Sequence, residues 1–314
     1  MSDISSIDMS QNILVIAGPT ASGKSAIAMD IAQKCKSVII NADSMQVYSD
    51  LRILTARPNK QDMKSMPHAL YGTIDGSRRC NVRLWLELAS REVEKARMQQ
   101  KLPILVGGTG LYLNAARYGI SQIPKVSEEI HNKAISLHRD IGARSFKELL
   151  KKYDSETASR LAEGDSQRLI RAMEVYWQTN KPISYWQSYP LTGAISGNFI
   201  QVAHLPPRQY VYNSINQRIH RMIEEGAFHE VGTLVARRLD PTLPVMKAIG
   251  VRQIAAYLKS ESQLNAVIDS IAQDTRRYAK RQFTWFKNNF ISEITINEKY
   301  SKRFISEIFA LIPR

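Results

Sequence analysis

The residues best suited to chemistry form a glycine-rich segment near the start of the chain. It has the pattern G-x-x-x-x-G-K-[ST] and consists of Gly18, Pro19, Thr20, Ala21, Ser22, Gly23, Lys24 and Ser25. Glycines let the backbone turn tightly, so several amide N–H groups point at one anion, and the following helix adds its positive dipole end. Lys24 adds a full charge, and the Ser25 hydroxyl can hold Mg²⁺. This P-loop predicts a bound diphosphate without specifying the reaction.

Two further polar segments come directly after predicted buried strands. Asp43 follows the strand at 37–40, where it would be a general base or a metal-ordering group, or else a helix N-cap. The run GGTG follows the strand at 103–106 and lets the backbone near Thr109 approach a ligand. An ordinary strand-to-helix turn explains that run equally well.

The densest cationic segment lies at 275–285 on a predicted helix. Arg276 with Lys280, and Arg277 with Arg281, are like-charge pairs one helical turn apart. Such pairs repel one another unless an anion lies over them. A basic face interleaved with aromatic residues suits a phosphate backbone, so this helix is predicted to contact RNA.

Two smaller cationic groups lie elsewhere. Arg168 and Arg171 share a helix face, which would bind an anion or be a solvated face paired with Glu174. Lys247 and Arg252 flank a glycine. The net charge of +14 over 314 residues favours a polyanionic partner, because clustered cations gain affinity by releasing condensed counterions.

The composition excludes several other classes. No run resembles a membrane span, and the first eleven residues lack the pattern of a signal peptide, so a cytoplasmic protein without a membrane partner is expected. The two cysteines are far apart, which excludes a disulfide framework and a cysteine-rich zinc site. No exposed apolar stripe is left unaccounted for, so a monomer is expected.

Strands, glycine loops and helices alternate in the first part of the chain. Buried strands are predicted at 12–17, 37–40 and 103–106, and Asn81 can cap the helix before the third. The predicted fold class is α/β: a P-loop NTPase-like doubly wound parallel sheet with a helical insertion domain. Ligands of such sheets gather at the carboxyl ends of the strands.

The predicted organisation has three parts. Residues 1–122 form the first part of the core, 123–197 a helical insertion without strands, and 198–314 the second part of the core. The second core part opens with a strand at 198–204 and contains a long helix at about 266–286. The insertion is predicted to hold short helices at 127–139, 143–152, 156–162 and 166–179.

Taken together, these segments resemble the bacterial tRNA dimethylallyltransferases, also called tRNA isopentenyltransferases. The resemblance runs from about residue 12 to 290 in the family's order. It is carried by GPTASGKS, DSMQVY, GGTGLYLNA, GDSQRLIRAMEVYWQTNKPIS, RMIEEGAFHEV, KAIGVRQ and TRRYAKRQFTWF. Most of these motifs are generic alone, whereas the ordered set is highly specific.

The resemblance implies a reaction. A dimethylallyl group would move from dimethylallyl diphosphate to the exocyclic N6 amine of the adenosine 3′-adjacent to the anticodon of tRNA, with Mg²⁺ required. Lys24, Ser25 with Mg²⁺, and Arg218 would stabilise the departing diphosphate. Asp43 would accept the amine proton, and Thr109 would align the base or the diphosphate. As a P-loop protein, the chain is also expected to bind nucleotides such as ATP.

The resemblance also implies a tRNA surface for the anticodon stem-loop. The adenosine would be flipped into a channel between the sheet and the insertion. The implied tRNA-binding residues are Asp43, Ser44, Met45, Gln46, Thr109, His131, Gln167, Arg168, Leu169, Ile170, Arg171, Lys247, Ala248, Ile249, Gly250, Val251, Arg252, Thr275, Arg276, Arg277, Lys280, Arg281 and Gln282.

The chain departs from the family pattern at three places. The family usually has two histidines where this chain reads Pro67-His68-Ala69, and it usually has arginines at the positions of His131 and Ser214. These differences bear on tRNA contact and on which arginine faces the diphosphate. The zinc-finger tail of some relatives is absent, so no zinc is expected.

Three rival functions share these motifs. A prenyltransferase acting on free adenine nucleotides would use the P-loop, Asp43 and Thr109 but would not need the basic helix. A small-molecule kinase would place Lys24 on a nucleotide triphosphate, with Asp43 activating a hydroxyl. An RNA-binding protein could keep the fold without the chemistry.

Overall fold

The computed structural model describes residues 11–313, so nearly all of the segment on which the signal-peptide expectation rests lies outside the described residues. Six parallel strands form one sheet in the order β3-β2-β4-β1-β5-β6. The predicted parallel α/β fold is thereby confirmed. The strands are β1 (Asn12–Ala17), β2 (Ser37–Asn41), β3 (His68–Ala69), β4 (Leu102–Gly107), β5 (Asn198–His204) and β6 (Ile294–Ile296).

The centre of the sheet is apolar on both faces. Every residue of β1 and β4 is buried, which is why these strands read as continuous apolar runs rather than alternating ones. The edge strand β3 was not predicted, because its two residues are too few to show a pattern.

Helices follow the strands in the part of the chain that contains the sheet. They are α1 (Lys24–Ala32), α2 (Lys60–Ser65), α3 (Val82–Met98), α4 (Gly110–Tyr118), α9 (Arg208–Glu224), α10 (Ala227–Ala236), α11 (Val251–Leu258), α12 (Leu264–Asn289) and α13 (Phe304–Ala310), with a 3₁₀ turn at Pro244–Lys247. The side chain of Asn81 accepts a hydrogen bond from the Leu84 amide and so caps α3 as predicted. Helix α12 buries Ala272, Ala279, Phe283 and Phe286 along one face.

The described residues divide into two compact units, a larger one made of 11–117 and 195–313 and a smaller one made of 118–194. The predicted insertion, residues 123–197, begins and ends a few residues later than the smaller unit. The described residues contain no helix long and apolar enough to cross a membrane.

The smaller unit is entirely helical apart from one short bridge between Ile120 and Thr192. Its helices are α5 (Glu128–Lys151), α6 (Ser155–Arg160), α7 (Ser166–Thr179) and α8 (Ile183–Gln187). Gly142 has φ of 76°, outside helical values, and kinks α5 at the break between two predicted helices. Phe146, Leu150, Leu169 and Met173 form the centre of this unit's own core.

Candidate active site

A cavity of about 310 Å³ lies in the larger unit beside the carboxyl ends of β1 and β2. Its size and mixed lining suit a small ligand with one charged and one apolar end. It is lined by Thr20, Asp43, Ser44, Met45, Leu54, Thr55, Arg218, Ile219, Met222, Lys247, Ala248, Ile249, Ile271, Thr275, Tyr278 and Arg281.

The P-loop connects β1 to α1, as predicted. Gly23 has φ of 100°, a left-handed conformation that favours glycine, and a Cβ at Gly18 would lie 2.4 Å from the carbonyl oxygen of His204. These two glycines are therefore required by the path of the backbone. They let the loop turn tightly into the first turn of α1, where helix amides are free to bind an anion.

Lys24 opens α1 and donates a hydrogen bond from Nζ to the carbonyl oxygen of Pro19 at 3.0 Å. Part of the side chain reaches solvent, yet protein atoms crowd the amine. That desolvation lowers the pKa of Lys24 to about 8, with the charge of Asp43 opposing the shift and that of Arg218 adding to it. The amine is thus a cation poorly compensated by the protein and suited to an incoming anion.

Asp43 lies where β2 ends and heads a tight turn rather than a helix. Its Oδ1 atom accepts hydrogen bonds from the amides of Met45 at 2.9 Å and Gln46 at 3.4 Å. The helix N-cap alternative is therefore wrong in detail, because no helix starts here. The other oxygen, Oδ2, accepts no hydrogen bond from the described residues. The carboxylate lines the cavity and is held by one oxygen while the other remains available.

Thr109 lies close to Asp43, as the adjacency of β2 and β4 requires. Its Oγ1 accepts a hydrogen bond from the Ser44 amide at 3.0 Å, and its side chain also interacts with Tyr278 of α12. Burial and the negative charge of Asp43 raise the pKa of Tyr278 above its ordinary value, so the phenol is neutral and able to donate.

Arg218 of α9 approaches the same cavity. Its pKa falls to about 10, chiefly through burial, while the charge of Asp43 favours the protonated form. Its Nε is buried and has no partner among the described residues. An unpaired buried donor is costly unless a ligand fills the role. Ser214, one turn earlier, donates its hydroxyl to the Tyr210 carbonyl at 2.9 Å and brings no second cation.

Gln282 joins two of the predicted loops. Its Oε1 accepts the Thr20 amide at 2.8 Å, and its Nε2 donates to the Gly108 carbonyl at 2.9 Å. The side chain is only 5% exposed, and in this structure it links the P-loop to the GGTG segment. Thr275 is likewise buried and donates its hydroxyl to the Ile271 carbonyl.

The predicted basic face of α12 is exposed at Arg277, Lys280 and Arg281, whereas Arg276 is half-buried. Arg276 donates to Asn216 at 3.0 Å, and Arg277 donates to Asp274 at 3.4 Å. Lys280 and Arg281 extend toward solvent, with the Arg281 guanidinium over the Tyr278 ring. An open groove of about 540 Å³ is lined by Arg277, Lys280, Arg281, Thr284, Trp285, Asn288 and Asn289.

The segment 247–252 is split between the cavity and the core. Lys247, Ala248 and Ile249 line the cavity, and Arg252 is exposed. Val251 is 2% exposed, so its side chain belongs to the core rather than to an RNA surface. Gly250, with φ of 102°, precedes α11 in a left-handed conformation.

The smaller unit contains the remaining predicted tRNA residues. Glu174 of α7 is buried and binds both Arg171 and His131. The predicted pairing of this face with Glu174 is therefore present, although Glu174 itself is not solvated. Gln167 and Arg168 are exposed. Leu169 is fully buried and Ile170 packs against the same core, so neither side chain is a surface contact.

Sequence reasoning missed much of the cavity's apolar lining. Leu54, Ile219, Met222 and Ile271 come from three separate segments, and each appears in the sequence as an ordinary core residue. Tyr278 was noted only as part of the basic helix. The described residues contain no group of three or more His, Cys, Asp or Glu that could hold a metal ion.

Comparison with known proteins supports one family. The profile described as IPP transferase matches residues 46–289, and the one described as isopentenyl transferase matches 11–72. A tRNA dimethylallyltransferase of Paramagnetospirillum magneticum is 42% identical over 95% of this chain and 95% of its own length. This chain belongs to the tRNA dimethylallyltransferase family.

Other members of the family agree. A tRNA dimethylallyltransferase of Rhodospirillum rubrum is 44% identical over 91% of this chain and 88% of its own. Among solved structures, a tRNA isopentenylpyrophosphate transferase of Staphylococcus epidermidis shares 28% identity and a TM-score of 0.68, covering 96% of this chain and 98% of its own. The family resemblance in the motifs is thereby confirmed over nearly the whole chain.

Proposed function

We propose that this protein transfers a dimethylallyl group from dimethylallyl diphosphate to the N6 amine of the adenosine 3′-adjacent to the anticodon in tRNA, releasing diphosphate. The observation that carries the proposal is the cavity itself. It brings the Asp43 carboxylate with its free oxygen, the desolvated Arg218 and an aliphatic wall into one space next to the P-loop. The desolvated amine of Lys24 is close enough to feel the charges of both Asp43 and Arg218.

Asp43 is suited to remove the amine proton. Two backbone amides fix its Oδ1 and so orient the carboxylate, while Oδ2 accepts no hydrogen bond from the described residues. As the amine nitrogen attacks the prenyl carbon, the proton leaves the nitrogen for Oδ2. The Thr109 hydroxyl and the neutral Tyr278 phenol lie next to this position and would orient the base.

Lys24 and Arg218 are suited to the leaving group. Charge grows on the bridging oxygen of the diphosphate as the carbon–oxygen bond breaks, and cations placed beforehand stabilise that charge in the transition state. Free amides at the first turn of α1 add their dipoles. Because both cations are partly desolvated, their interaction with an anion is stronger than it would be in water.

The residues present fit a magnesium–diphosphate complex better than a protein-enclosed metal. Ser25 offers one exposed hydroxyl oxygen at the start of α1, and Mg²⁺ is commonly held by few protein ligands together with substrate phosphates. We infer that Ser25 would hold Mg²⁺, which when bound neutralises diphosphate charge. No zinc and no second subunit enter this scheme, in which the protein acts as a monomer.

Exposed cations suit the tRNA partner. Helix α12 has a basic face in the larger unit, formed by Arg276, Arg277, Lys280 and Arg281. The groove beside this face contains Trp285. Cations bind phosphates, and an aromatic side chain offers a surface for a base. We therefore propose that this face binds the anticodon stem-loop of tRNA. We also propose that the P-loop can bind nucleotides such as ATP.

The decisive experiment incubates the protein with Mg²⁺, labelled dimethylallyl diphosphate and one of two acceptors. The first acceptor is tRNA with adenosine at the last anticodon position and at its 3′ neighbour; the second is free AMP. Label in the tRNA supports the proposal. Label only in AMP would establish the nucleotide prenyltransferase instead. If neither acceptor is labelled, transfer of the γ-phosphate from added ATP to a small-molecule hydroxyl would support the kinase.

A further inference from the structure

One wall of the cavity is a tight turn at residues 52–56, here called the wall turn. It places Leu54 and Thr55 in the cavity lining. The turn is closed by backbone bonds from Ala56 to Ile53 and from Arg57 to Arg52, both at 3.0 Å, and Ala56 has φ of 53°. A left-handed alanine is strained, so contacts from outside must hold the turn in place.

The principal outside contact is Glu230 of α10. Its Oε1 accepts the amides of Arg52 at 2.7 Å and Ile53 at 2.8 Å, and its Oε2 accepts the amide of Leu54 at 2.9 Å. Three consecutive amides thus converge on one carboxylate. Charge-assisted bonds of this kind are about twice as strong as neutral ones.

Two more contacts complete the setting of the turn. Gln46 donates from Nε2 to the carbonyls of Thr55 at 2.8 Å and Ala56 at 3.2 Å, so its amide is occupied by the protein. Behind Leu54 lies Gly250, where an added Cβ would stand 2.7 Å from Leu54 Cδ1. Leu54 is therefore fixed through its own amide, and its side chain fits only because residue 250 has no Cβ.

Leu54 lies in the apolar part of the cavity. The same lining includes Ile271 of α12. Ile271 lies eleven residues before Gln282, which corresponds to about 16 Å along the helix axis. Because Gln282 binds the P-loop through the Thr20 amide, Ile271 lies at the end of the cavity farther from the P-loop. A group attached to a diphosphate at the P-loop would extend toward this aliphatic region, and Leu54 narrows it.

We propose that Glu230 is a positioning residue that, through the wall turn, fixes Leu54 as the side chain limiting the size of the prenyl group the cavity accepts. This inference rests on the proposed function, since it assumes transfer of a prenyl group. It assigns to Glu230 selectivity between prenyl chain lengths.

The test compares dimethylallyl diphosphate with its ten-carbon homologue, geranyl diphosphate, as donors to tRNA. The quantity measured is kcat/KM for dimethylallyl diphosphate divided by kcat/KM for geranyl diphosphate. A poorly folded enzyme loses activity with both donors equally, so only a change in the wall moves the ratio. Leu54→Ala should lower the ratio about tenfold, because apolar pockets discriminate added methylenes to about this extent.

Glu230→Gln keeps the size of the side chain but replaces one carboxylate oxygen with an NH₂ group. One of the three backbone amides of the wall turn then loses its acceptor, so the ratio should fall severalfold. Glu230→Ala should lower it further. In the double variant with Leu54→Ala, the Glu230 change should have no added effect on the ratio, because the residue through which it acts is gone. Glu224→Gln, an exposed carboxylate near the end of α9, is the matched control and should leave the ratio unchanged.

The outcomes separate the two proposals. A wild-type protein that transfers neither group to tRNA would overturn the proposed function. A wild-type protein that is active, with the ratio unchanged in Leu54→Ala or in Glu230→Gln, would overturn only the present inference. Glu230→Gln also serves where Glu230→Ala does not fold, since it keeps two of the three acceptor contacts.

Discussion

The two ends of the cavity are built in different ways. The P-loop end consists of consecutive residues, and its groups are positioned by the loop and by the first turn of α1. The apolar end draws Leu54, Met222 and Ile271 from segments far apart in the chain. The first end provides charge that any diphosphate would use, whereas the second provides shape. Chemistry and selectivity should therefore be separable by mutation.

Of the changes that compare the two ends, the largest effect is expected at the P-loop end. Lys24→Ala removes the cation nearest the developing diphosphate charge and should lower kcat/KM by about 10²–10³ for every prenyl donor. The ratio between donors of different length should stay as in the wild type. Steady-state kinetics with two donors measure both quantities. A Lys24→Ala variant that loses activity with one donor only would break the separation between the two ends.

Gln282→Ala tests the link that holds the P-loop against the GGTG segment. The change leaves the Thr20 amide and the Gly108 carbonyl unpaired, which should lower the free energy of unfolding by about 1–3 kcal/mol. The KM for dimethylallyl diphosphate should rise as well. Urea unfolding and kinetics provide the measurements. Gln273→Ala, at an exposed position of α12, is the control; equal effects of the two variants would contradict the role given to Gln282.

The pH dependence of kcat/KM for dimethylallyl diphosphate tests the role of Lys24 at the P-loop end. The free protein has a Lys24 pKa of about 8, and an anion binds the protonated form. The kcat/KM for dimethylallyl diphosphate should thus be highest below pH 8 and fall by about tenfold per pH unit above it. Lys24→Arg keeps the charge at these pH values and should abolish the decline. An unchanged profile in that variant would assign the decline to another group.

The smallest effect is expected on the basic face of α12. Lys280→Ala should raise the KM for tRNA a few-fold and reduce the salt dependence of tRNA binding by about one unit of slope, because one phosphate contact is lost. The KM for dimethylallyl diphosphate should not change. Filter binding over a range of salt concentrations measures the slope. Lys259→Ala, also exposed but outside this face, should leave it unaltered.

What the sequence could predict follows from the distance between partners in the chain. The four longer strands and the P-loop depend on local patterns, and all are present in the structure. The Thr20–Gln282 bond joins residues 262 positions apart, and the Leu54–Glu230 bond joins residues 176 apart. No local pattern indicates such pairs.

The same reasoning explains why some residues of the predicted tRNA surface have buried side chains. Leu169, Val251 and Gln282 lie within motifs that carry exposed cations, so proximity in the sequence suggested a shared role. Helical periodicity turns neighbouring residues to opposite faces, and these three side chains point into the interior. A motif therefore predicts where a site lies more reliably than which of its side chains face the ligand.

The central claim is that Asp43 removes the amine proton during prenyl transfer. Single-turnover transfer from dimethylallyl diphosphate to tRNA, at saturating donor, should be slowed about 10²–10⁴-fold in Asp43→Asn. Binding of the donor, measured separately, should change little, and Asp269→Asn on the exposed side of α12 should behave as the wild type. A wild-type transfer rate in Asp43→Asn would contradict the account.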